Sequence, residues 1–219
     1  MNKNKIQKFG ILAVAGFFLV THAFCQEIPK TMVKITTRVL EPAPEPGSFV
    51  SQPKTLWRAG AKYARIAEAP DTQHHIHGLM IVNEPNVWMI NLFYKSGRHI
   101  VDSGPTFDVH LPIFQTPEEA KMKLGELEFG GELDFFTKNN AKPSAGEVIN
   151  GKATDRYDVI VSGRKLVLWM DTKSKKPVRV SLERGMGTQT IEYLTYDDEL
   201  PFDPSMFQPP DGIASENAK

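Results

Sequence analysis

Residues 166–212 read LVLWMDTKSKKPVRVSLERGMGTQTIEYLTYDDELPFDPSMFQPPDG, three apolar runs separated by turn chemistry and closed by a proline-rich end. Val178, Val180 and Leu182 alternate with Arg179, Ser181 and Glu183, and Ile191 and Tyr193 continue the two-residue period of a half-buried strand. The polar turn Asp171–Lys176 ends at Pro177, so Lys165–Met170 and Pro177–Leu182 are expected to pair as a hairpin. Glu183–Thr188, around Gly185-Met186-Gly187, reads as the next hairpin turn. Just upstream, Tyr157, Val159 and Val161 share one face of another strand. The expectation is an antiparallel meander with one apolar and one polar face.

Working outward, Met32–Leu40 (MVKITTRVL) is rich in β-branched residues and reads as a strand. Glu41–Gly47 (EPAPEPG) holds three prolines and is a loop inside one domain. Thr55–Ala67 reads as a hairpin around Ala59-Gly60-Ala61, with Trp57 and Tyr63 as its large packing residues. Ile76–Asn83 and Asn86–Tyr94 are strands flanking Glu84-Pro85, and Lys95-Ser96-Gly97-Arg98 reads as a further turn. The run VWMINLFY is apolar on both faces, so that strand has two surfaces to cover. Thr116–Leu127 has the signs of a helix start: Thr116 as N-cap, Pro117 at N1 and Glu119 at N3. Glu132–Asn140 is a second helix or a loop, and from Gly146 onward the pattern is strand and turn.

At 219 residues, with 41% hydrophobic and 24% charged side chains, the chain suits one globular domain with a sizeable core. Its 26 basic and 26 acidic residues balance, and no basic field points to nucleic acid. Lys3, Lys5 and Lys8 precede the uncharged run Phe9–Val20, followed by Thr21-His22-Ala23, the order of a secretory signal. That run is too short for a bilayer span, which takes about 20 residues. We therefore expect residues 1–25 to be a signal peptide, cleaved after Ala23 or Cys25, and the mature protein to be periplasmic. Cys25 is the one cysteine, so no intrachain disulfide exists. Phe24 beside it fits a lipidation box poorly, and a lipid anchor there is not the expectation.

Candidate chemistry is sparse. In a strand, His75 and His77 of His74-His75-Ile76-His77 would share a face, but zinc needs a third and usually a fourth ligand. His99 and His110 would have to supply them, and the reading adopted is a solvated turn with no metal. Glu118-Glu119 lies in a helical first turn, where negative charge offsets the dipole, and Asp197-Asp198 with Glu199 reads as a proline-bounded turn. No Gly-x-Ser-x-Gly elbow and no phosphate-binding loop is present, so neither enzymatic activity nor a cofactor is expected.

Taken in order, the C-terminal features form a larger pattern. Asn150-Gly151-Lys152 precedes a strand, then come Leu168-Trp169-Met170-Asp171, Pro177-Val178-Arg179, Glu192-Tyr193 and Phe207-x-Pro209-Pro210-x-Gly212. With Trp57–Glu68 as a first hairpin, this resembles the outer-membrane lipoprotein carrier (LolA/LolB-like) superfamily of bacterial envelope proteins. The resemblance implies an α+β fold. Its core is a curved antiparallel half-barrel of about 9–11 strands, with one or more helices covering the concave face. It also implies an apolar cavity that takes up acyl chains of lipoproteins or other lipids, without catalysis. Gln26–Met32 is too short for the long amphipathic helix with which such carriers begin. On this reading residues 26–213 form the domain and 214–219 a flexible tail. The expected cavity residues are Trp57, Met80, Trp88, Leu168, Val178, Val180 and Leu182. The partner expected is a lipid or lipoprotein acyl chain. The alternative is a structural or sensory envelope protein whose half-barrel binds a protein.

Overall fold

The computed structural model describes residues 28–45, 48–114, 123–185 and 187–217. Along the chain run β1 (Thr31–Glu41), β2 (Lys54–Ala59), β3 (Tyr63–Glu68), β4 (Gly78–Asn83), β5 (Asn86–Asn91) and β6 (Ser96–Val101). Then follow α1 (Glu132–Lys138), β7 (Pro143–Ala145), β8 (Thr154–Val161), β9 (Arg164–Asp171), β10 (Pro177–Arg184), β11 (Gly187–Pro201) and β12 (Ala214–Asn217). All twelve strands join one open sheet in the order β12-β6-β5-β4-β3-β2-β1-β11-β10-β9-β8-β7. Two meanders thus meet where β1 pairs with the 15-residue β11. Neighbours are antiparallel except β12, which runs parallel to β6. A wide, open antiparallel sheet with a helix against it agrees with the expected half-barrel.

The β2–β3 and β9–β10 hairpins form as the alternation requires, and Gly60 turns the first with φ +55°. One face of the sheet carries the main core, in which Ile35, Leu56, Val82, Leu166, Leu168, Val180, Leu182 and Ile191 pack together. Residues 109–114 and 124–129 and α1, through Phe135 and Phe136, cover part of that face. Behind β2–β5, on the opposite face, Leu79, Ile81 and Ile90 pack under Phe202, Met206 and Phe207. A third cluster joins Ile149 to Val167, Trp169 and Val178.

Several expectations need correction. Lys95–Arg98 is not a turn, because β6 begins at Ser96 and the reversal occurs over Leu92–Lys95. Gly97 is there for a close approach, since a Cβ would run into the Met89 carbonyl and the Ile90 backbone. The outer face of the C-terminal meander is not simply polar, because Ile149 and its loop bury Val167 and Trp169. Val178 leaves the face of Val180 and Leu182 because the β9–β10 register slips between Pro177 and Arg179. A bulge there sends Val178 to the opposite side. Asp197, Asp198 and Glu199 lie within β11 rather than in a turn. Residues 214–217, expected to trail as a tail, form β12 through backbone pairing that needs no apolar side chains. Most of the helix expected over Thr116–Leu127, with Glu118 and Glu119, falls outside the described residues, and Lys123–Glu126 is a 3₁₀ turn. Among the described residues α1 is the one α-helix.

Candidate functional site: an apolar groove

Strand register builds the site. Ile35, Leu56, Ile66, Met80 and Met89 stand opposite one another in turn across β1 to β5. Period-two alternation sends all five side chains to the face of the main core. The adjoining row, Val33, Ala64, Val82 and Val87, packs into that core. The row on the other side is polar: Thr37 faces Lys54, which faces Glu68 in register. Lys54 Nζ and Glu68 Oε1 lie 2.9 Å apart. A Cβ on Gly78 would strike the Glu68 carboxylate, so the glycine gives that side chain room.

The five-residue apolar row is the floor of a groove of about 720 Å³, a volume within the range of small-molecule sites. Ile113 and Phe129 of the covering segment form one wall, and Ile191 of β11 lies at one end. Val50, Ile76 and Met89 stand at its mouth with 52%, 39% and 53% of their surface exposed. Gln52, Lys54, Glu68, Arg184 and Gln189 supply a polar rim. The Arg184 guanidinium donates to the Gln189 carboxamide.

The covering wall is held in place by polar contacts. Val109 N donates to Ala61 O at 2.6 Å, and Phe129 N donates to Leu111 O at 3.1 Å. Arg58 Nη1 donates to Glu128 Oε2 at 2.7 Å and to Phe129 O at 3.3 Å, and Nη2 reaches Val109 O at 3.2 Å. His110 Nδ1 lies 2.6 Å from Glu128 Oε1. One arginine of β2 therefore clamps both ends of the segment that walls the groove. Next to it, Glu132 is buried at the start of α1, where Tyr193 Oη donates to its Oε1 at 2.8 Å and Gly130 N donates at 3.1 Å. Burial pushes the Glu132 carboxyl above its usual range and Tyr193 well above its own. The pair ties α1 to β11.

The structure separates the seven residues expected to line a cavity. Met80 lines the groove. Leu168, Val180 and Leu182 lie fully buried in the main core beyond it. Trp57 and Trp88 are on the opposite face. Lys34 Nζ lies 5.6 Å and the Arg65 guanidinium 5.9 Å from the Trp57 ring, while Trp88 stacks on His99 at 5.0 Å. Val178 belongs to the third cluster. Leu56, Ile66 and Met89 were not singled out from sequence. Carrying the register of the Gly60 hairpin across the next two strands would have found them.

The histidines do not converge. His74 Nδ1 sits 2.8 Å from Asp71, His75 and His77 turn their rings on Phe93, and His99 Nε2 lies 2.9 Å from Asn86 Oδ1. Among the described residues no three His, Cys, Asp or Glu side chains are arranged to hold a metal.

No family model and no curated protein matches the chain. Solved structures do superpose on it. An uncharacterized conserved protein from Thermus thermophilus is 8% identical, covering 86% of this chain and 91% of its own, with a TM-score of 0.48. LprF from Mycobacterium bovis is 10% identical, covering 84% and 90%, with a TM-score of 0.44. A LolA superfamily protein from Nitrosomonas europaea is 11% identical, covering 84% and 91%, with a TM-score of 0.30.

Proposed function

We propose that this chain is an exported cell-envelope protein that holds a hydrophobic ligand, an acyl chain of a lipid or lipoprotein, in the β1–β5 groove without catalysis. What supports the reading is the floor: five apolar side chains in register, continuous with the core on one side and bounded by a polar row on the other. Val50, Ile76 and Met89 are left half in water at its mouth. An acyl chain seated there would bring apolar surface out of water at roughly 0.8 kcal/mol per methylene. Lys54, Glu68 and Gln52 stand where a polar head would emerge. Of the residues expected from sequence, Met80 belongs to this site, joined by Ile35, Leu56, Ile66 and Met89.

The test is native mass spectrometry on delipidated protein offered a long-chain fatty acid and a diacyl phospholipid. A bound adduct at one per chain is expected. Protein that takes up neither would remove the carrier reading and leave the binding of a protein partner as the alternative.

A further inference from the structure

We propose that the end of the sheet beside the groove mouth docks on the surface of an anionic phospholipid bilayer, a proposal that takes its purpose from the lipid groove. Two connections build this end: Thr72–His77 between β3 and β4, and Leu92–Lys95 between β5 and β6. Asn91 Nδ2 donates to His75 O at 3.0 Å, and Leu92 N donates to His77 O at 2.9 Å. The rings of His75 and His77 meet the Phe93 ring at 6.0 and 5.9 Å. The two connections are therefore one surface. Ile76, Phe93 and Tyr94 are exposed on it by 39%, 39% and 65%. Ile76 and Met89 also line the groove, so this surface runs into its mouth.

Charge selects the occupant. Thr72–His77 and Leu92–Arg98 contain Lys95, Arg98 and three histidines and no carboxylate. The nearest acids are engaged or to one side. Asp71 accepts from the His74 ring and from the Gln73 and His74 N–H groups, Glu68 pairs with Lys54, and Glu216 lies beside Arg98 in register. An exposed tyrosine, phenylalanine and isoleucine beside Lys95 and Arg98 is the chemistry of a membrane interface with anionic lipid. Docked in this way, the mouth would open on the bilayer, and a chain would pass into the groove without exposing its methylenes to water.

The test is flotation of the mature protein with phosphatidylcholine vesicles, with and without phosphatidylglycerol. We expect the protein to float with the mixed vesicles, and less with phosphatidylcholine alone or at high salt. The double variant Phe93→Asp with Tyr94→Asp is expected to lose flotation about tenfold. It should keep its melting temperature and its uptake of a soluble fluorescent fatty acid, because neither residue lines the groove. Parent protein that stays unfloated, or a double variant that floats like the parent, overturns the proposal. So does a parent dimer in light scattering that the double variant abolishes, which assigns the surface to a second copy. Flotation without fatty-acid uptake would leave the docking surface standing and remove the groove reading.

Discussion

Glu132 is 2% exposed, and its carboxyl is held by the Gly130 N–H and the Tyr193 hydroxyl. Burial is the largest influence on it and raises its pKa against the pull of those donors. A carboxyl raised in the folded state binds its proton more tightly there than in the unfolded chain. Its contribution to stability is therefore full below the ordinary glutamate pKa of about 4.3 and is lost as pH rises toward the folded value. Glu132→Gln keeps an acceptor for Tyr193 and removes the titration. In urea unfolding the variant should gain on the parent as pH rises above about 4, and a constant difference would contradict this role. None of this is readable from the one-dimensional pattern. Glu132 sits in an ordinary polar-apolar run, and its partner Tyr193 is 61 positions away.

At the scale of elements, alternation made the strands legible and register decided the rest. Val178, Val180 and Leu182 look equivalent in sequence, yet one bulge at Pro177–Arg179 sends Val178 to the other face. Gly97 reads as a turn residue because glycine serves both turns and close strand contacts, and here it serves the second. Gly97→Ala should cost about 1–3 kcal/mol in chemical unfolding, because the Met89 carbonyl and Ile90 backbone cannot yield as a side-chain tip would. The covering segment was invisible as a wall, since Arg58 and Glu128 are 70 positions apart. Arg58→Met leaves Glu128 without its arginine and should cost about 2 kcal/mol of stability. Amide exchange should quicken over residues 109–114 and 124–129 more than in β9 and β10. Uniform exchange would show that the clamp is not what holds the segment.

At the scale of the molecule, the central claim is that the β1–β5 face is left open for a ligand while the β8–β11 face is filled by its own core. The open sheet was legible in the sequence. The position of the opening was not, because five of the seven expected residues reach their places through tertiary packing, and Val178 through a bulge. Met80→Trp places a ring at the centre of the floor and should weaken fatty-acid uptake at least tenfold with melting little changed. The most direct measurement is methyl NMR of ¹³C-methionine protein titrated with a long-chain fatty acid. Met80 and Met89 line the groove, Met170 is in the closed core and Met206 packs behind the sheet. The expected result is saturable shifts of the Met80 and Met89 methyls, with Met170 and Met206 unmoved. Shifts confined to Met206, or none at any methionine, would contradict the account.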